Sequence, residues 1–277
     1  MSSPARERLI AAVSALLSCV CGDAALAQNG SDSLQWGLSV RTRFESKQDF
    51  NFAAAEQDYF VTVTRFNLGQ TSNAQNSWFV ELQDARVAGE SRRDIPPVNE
   101  QADGTVFADQ LDIHQAFWDR ALAGGRLRVG RQKFNLGDNR LVASLEWVNT
   151  ARVHDGLRFT FGDRDRREFD LFASTLVAVD PDDFNDHAPI GSRYLDSDFH
   201  GIYVTDNASL ASAELHYWFL YRRNTAFGDA VETVGLRYRG KTGAWRPDLQ
   251  FAWQGGEFAD RDHSGWMIHA GLRREFG

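Results

Sequence analysis

Cysteine, lysine and long apolar runs are what this chain lacks. Its 277 residues hold two cysteines, Cys19 and Cys21, both near the N-terminus. That excludes a disulfide-stapled scaffold, which needs several cysteines spread along the chain. Lysine occurs only at Lys47, Lys133 and Lys241, so the cationic side is nearly all arginine. Arginine keeps its charge and grips carboxylates at two points. Acidic residues still outnumber basic ones, 38 to 30, which argues against a nucleic-acid partner. Past the N-terminal segment, no apolar run is long enough to cross a bilayer as a helix, which excludes a helical inner-membrane protein.

The N-terminus reads as a secretory signal. Arg6 and Arg8 precede an apolar stretch, Leu9 to Val20, and Ala25-Leu26-Ala27 offers a small-x-small cleavage site. Residues 1–27 are therefore expected to be a cleaved signal peptide, with a mature chain 28–277 starting at Gln28 and free of cysteine. A lipoprotein cut at Cys19 is the alternative, against which stands the bulk of Leu17.

What is present is a strand pattern. Leu34, Trp36, Leu38, Val40, Thr42 and Phe44 alternate with Gln35, Gly37, Ser39, Arg41, Arg43 and Glu45. In an extended segment these sets fall on opposite faces, one greasy and one polar. The segment has about the length of a tilted strand that crosses a bilayer, roughly 9–11 residues. Similar segments recur near 59–69, 77–86, 110–118, 126–133, 156–161, 168–177, 199–205, 214–222, 233–239, 248–254 and 265–276. About twelve strands result. The connections alternate, short at 70–76, 119–125, 162–167, 206–212 and 240–246, and mostly longer at 46–58, 87–109, 134–155, 178–198, 223–232 and 255–264. An outer-membrane barrel alternates short periplasmic turns with long external loops. A soluble β-sandwich has no reason to keep loop length in step with strand parity. The fold class expected is all-β, a transmembrane antiparallel up-and-down β-barrel in the cell outer membrane.

Magnitude decides the faces. An arginine facing lipid at mid-depth costs about 2–4 kcal/mol. Turning Arg41 and Arg43 outward costs about twice that and drives Trp36 and Phe44 into water. Arg41, Arg43, Arg65, Arg158, Arg237 and Arg239 are accordingly expected to line the lumen. Trp36, Phe44, Trp78, Phe251, Trp253 and Trp266 are expected to include the aromatic girdles in the lipid.

The stretch Gly130–Phe161 reads GRQKFNLGDNRLVASLEWVNTARVHDGLRFTF, preceded by ELQDAR at 81–86 and LDIHQAF at 111–117. This resembles the alginate-export family of outer-membrane proteins over most of the mature chain. The resemblance implies a monomeric barrel, eighteen-stranded in its characterised form, with an arginine-rich lumen that passes a polyuronate anion outward. Carried over residue by residue, it marks Asp84, Arg86, Gln115, Arg131, Gln132, Arg140, Asn149, Arg152 and Asp155 as lumen or pore residues, with Gly156 matched beside them. A polyuronate needs cations along its path, and acids to keep it from stalling. Glu81, Asp84, Asp112 and Asp155 are the acids expected in that role. The loop before the sixth strand lies on the external side. Folded inward, it would narrow the channel; alternatively Arg152 and Asp155 pair merely to hold it.

Partners expected are outer-membrane lipid, an anionic polysaccharide or organic anion, and periplasmic export components, with no nucleic acid. No cofactor, metal or enzymatic step is expected. His114, His216 and the His263-Ser264 pair lack lipase spacing. The acidic run Asp180, Asp182, Asp183 and Asp186, with Asn185 and His187, reads as a surface loop rather than a cation site. A non-conducting barrel with an adhesion or scaffold role is the alternative function. The mature chain holds about two thirds of the family's strands, so a truncated reading of a longer gene is expected, and a complete narrower barrel is the alternative.

Overall fold

The computed structural model describes residues 34–48, 56–73, 75–89, 108–177, 179, 184–185, 197–224 and 227–276. The signal segment lies outside these residues, as does the acidic run at 180–187 except Phe184 and Asn185. Twelve strands occur among the described residues: β1 Leu34–Gln48, β2 Glu56–Asn73, β3 Asn76–Ala88, β4 Asp109–Leu122, β5 Gly125–Gln132, β6 His154–Asp163, β7 Arg167–Leu176, β8 Ser197–Leu210, β9 Ala213–Asn224, β10 Asp229–Gly240, β11 Trp245–Phe258 and β12 Arg261–Arg274. They form one sheet in chain order, each strand antiparallel to the next. This is an up-and-down barrel wall. Among the described residues, no helix is long and apolar enough to cross a membrane.

The period of two sets the faces. Leu38, Phe66 and Leu82 sit side by side across β1, β2 and β3, as do Ser39, Arg65 and Gln83 on the opposite face. The first row is outward: Leu38 and Phe66 are exposed, whereas Gln83 is buried. Trp78 stands opposite Trp118 near the short-turn end, and Trp253 opposite Trp266 toward the other end. Exposed Trp36, Phe251, Trp253 and Trp266 match the girdle expectation.

Several strands run further than their hydrophobic pattern. β11 continues to Phe258 and β12 begins at Arg261, so the connection expected over 255–264 is a two-residue hairpin turn. Ala259 and Asp260 take φ of 52° and 57° there, the left-handed pair of a type I′ turn. His263 and Ser264 consequently belong to a strand. β9 and β10 likewise approach within four residues of each other. The long connections are those after β3, β5 and β7, all at one end.

β1 and β12 are the ends of the strand order, and no β1–β12 ladder occurs among the described residues. Their outward side chains are correspondingly bare. Trp36 is 68% and Trp266 72% exposed, against 42% for Phe219 in the middle of the wall.

Candidate functional site: an inward loop between two walls

The chain leaves the sheet after Gln132 and returns at His154. Residues 133–153 fold into the concave side and touch strands far apart in the sheet. One flank meets β1–β3. Arg41 donates to the Glu146 and Val148 carbonyls, and Arg43 to the Trp147 carbonyl at 2.7 Å. Arg65 pairs with the Glu146 carboxylate at 2.6 Å. Gln83 donates to the Thr150 carbonyl, and Asn149 to the Thr62 carbonyl. The other flank meets β10 and β11. Arg140 donates to the Gln250 side chain at 2.6 Å, and Asp138 lies 3.3 Å from Arg237.

Between the flanks sits an apolar plug. Phe134, Leu136 and Val142 of the loop pack with Phe172, Tyr203, Trp218, Leu220 and Ala252 of the wall, all buried. The inner wall is therefore apolar over β7–β9, where alternation alone predicts a polar face. The loop covers that surface and removes it from water. Gly137 makes the turn possible. It takes φ of 62°, and a Cβ there would collide with the Tyr203 hydroxyl.

Glu146 ties the charges together. It accepts from Arg65 and from Ser144, and pairs with Lys133 at 2.9 Å. Burial alone would push its carboxyl up, but Arg65 and Lys133 outweigh that and hold it down at about 2.

The expected pore residues separate into three groups. Arg41, Arg43, Arg65, Arg158 and Arg237 face the concave side, as expected from parity, but each is occupied. Arg158 grips Asp170 at 2.8 and 2.9 Å, and Arg237 grips Asp248. Arg239 shares their face near the short turns and meets Glu214 at 2.7 Å. Buried Glu81 accepts from Gln115 and lies 3.4 Å from Lys133. Arg140 and Asn149 are loop anchors.

A second group is corrected by geometry. Asp84 and Arg86 share the parity of Trp78, Val80 and Leu82, so they lie on the outward face and bond each other. They do not line the bore. Arg131 stands in the gap left where β5 departs. It donates to the Ile113 carbonyl of β4 at 2.8 Å and grips Asp155 of β6 at 2.9 and 3.0 Å. Asp112 is 3.8 Å away. Fully buried Gln132 bonds the Gly130 and Gly156 carbonyls beside it. Arg131 and Asp155, with the parity of exposed Val129 and Leu157, thus close the sheet and lie outside the channel, whereas Gln132 stands opposite His154 on the inner face but is sealed by burial. Asp155 pairs with Arg131, not with Arg152.

Arg152 forms the third group alone. Its backbone bonds Ser144, and its side chain meets no acid among the described residues. It opens on a cavity at the long-connection end. Lys133, Asp138, Glu146 and Arg222 carry charge in this site without having been singled out in the sequence. Their partners lie up to a hundred residues away, and no local pattern marks them.

The family model for alginate export matches residues 32–276. The chain belongs to the alginate-export family. No curated protein sequence matches this family member significantly. Its fold is shared with solved barrels at low identity. Acinetobacter baumannii OccAB4 superposes with a TM-score of 0.61 at 11% identity, over 87% of this chain and 64% of that one. Pseudomonas aeruginosa OpdK, solved with vanillate, gives 0.54 at 12% over 90% and 65%. OpdK is an outer-membrane protein. This alginate-export protein spans about two thirds of the length of those barrels, 64 and 65%. Family and fold place it in the cell outer membrane.

Proposed function

We propose that this protein is a passive outer-membrane channel for carboxylate-bearing anions, with residues 133–153 as its constriction. One recurrent geometry carries the reading. Arg128 holds Asp119, Arg158 holds Asp170 and Arg237 holds Asp248, each through Nε and Nη2. A guanidinium has five donors, so side-on pairing leaves the Nη1 edge for a second acceptor. At Arg128 and Arg158 a passing carboxylate meets these donors, while the resident acid keeps either step from becoming a trap; buried Arg237 has Asp138 of the loop as its second acid. A polyuronate, as the family name suggests, and small organic acids carry the same group.

Reconstituted protein in a tenfold KCl gradient tests this. A reversal potential on the chloride side is expected, and a potential on the potassium side overturns the reading. A non-conducting barrel is the second reading, favoured by the apolar plug around Phe134. Absence of current in the same recording would establish it.

The signal peptide over residues 1–27 belongs to this proposal too. Edman sequencing of the mature protein is expected to start at Gln28.

A further inference from the structure

At the long-connection end a cavity of about 530 Å³ opens between the inward loop and the ends of β6–β11. That volume suits a small ligand, since such sites run to about 300–1,000 Å³. Two guanidiniums line it, Arg152 and Arg222. The acids that also line it are engaged: Arg223 holds Asp198, and Asp229 takes Arg222 and the Ala259 amide. Arg222 gives Asp229 one nitrogen at 2.9 Å and lies 5.8 Å over the Phe258 ring. Arg152 has no carboxylate partner among the described residues. Partial burial and the charge of Arg222 both oppose its ionisation, and Arg222 shares its one acid, Asp229, with the Ala259 amide, so Arg152 is the guanidinium left for an incoming anion. Apolar Leu141, Phe199 and Phe258 face the same space, beside the polar His154, Ser197 and Asn224.

We propose that this vestibule binds a small monocarboxylate with a ring-sized apolar body. Its carboxylate sits between Arg152 and Arg222, and its ring lies against Phe199 and Phe258. The charge attracts any carboxylate; the apolar lining selects among them. Burying one ring face against Phe199 and Phe258 takes apolar surface out of water, whereas a uronic acid, whose ring carries hydroxyls, has less apolar surface to offer them. The proposal rests on the channel reading and names the substrate class of its entrance.

Calorimetric titration of the purified full chain in detergent tests it, with benzoate, acetate, benzyl alcohol and glucuronate as probes. Benzoate is expected to bind at least tenfold more tightly than each of the others. Arg152→Gln is expected to weaken benzoate at least tenfold. Phe258→Ala is expected to weaken benzoate and leave acetate unchanged. Benzoate no tighter than acetate or glucuronate in the wild-type chain overturns the site, whatever the variants do. So does an unchanged benzoate affinity in Arg152→Gln. Chloride selectivity without benzoate preference removes the site and keeps the channel. Benzoate preference without anion current keeps the site and removes the channel.

Discussion

Glu146 concentrates the charge logic of the loop in one carboxylate. It faces Arg65 and Lys133, and its folded value of about 2 lies below the ordinary 4.5. The stabilisation is fully present above 4.5 and is lost as pH falls through about 2. Loop-dependent current noise is therefore expected to stay constant from pH 8 to 5 and to rise only toward pH 2. A rise centred near pH 6 would contradict the assignment. Glu146→Gln takes the carboxylate from Arg65, leaves Lys133 with Glu81 alone, and is expected to strengthen chloride preference in reversal-potential recordings. An unchanged potential would remove Arg65 and Lys133 from the ion path. Asp84 and Arg86 show what alternation could have decided in advance. They share a face with Leu82, so parity sends them outward, whereas family resemblance assigns them to the lumen. Arg152 and Asp155 are the reverse case. No counting along the chain reveals that Arg131 claims Asp155, because the gap beside β5 exists only in three dimensions.

Strands carry a period of two, and every one of the twelve was legible from it. Their ends were not. The two-residue turn after Phe258 lacks glycine, and the polar flanks of β11 and β12 read as a loop although they pair to the tip. The inward loop was legible only as a long connection. Its clue was a set of aromatic residues on the wrong parity: Phe172, Tyr203 and Trp218 belong to the inner face and need a cover. Phe134 supplies it. Deleting a buried phenylalanine side chain typically costs about 3–5 kcal/mol. Phe134→Ala is therefore expected to unseat the loop, giving a larger and noisier conductance while the thermal transition of the wall is retained. Identical conductance in wild type and variant would contradict this. The edges β1 and β12 offer another check. Their outward amides lack a ladder among the described residues and are expected to exchange with deuterium faster than those of β6 and β7. Equal protection would show that another strand pairs with them.

At the scale of the molecule, a wall of strands curls around a strap that ties its two halves together. Arg41, Arg43 and Arg65 hold the strap on one side, and Gln250 and Arg237 hold it on the other. The arginines foreseen as an open cationic lining are instead committed, some to the strap and some to neighbouring acids. Selectivity then depends on how the strap divides the bore and on which guanidinium edges it leaves free. Cross-linking across the bore tests that arrangement most directly. Cysteines introduced as Arg140→Cys and Gln250→Cys, treated with a short bis-maleimide, are expected to join within one chain. Arg140→Cys paired with Thr64→Cys, on the outward face, is expected not to join. Failure of the first pair to link, in protein that reacts freely with single maleimides at both sites, would contradict a strap lying inside the wall.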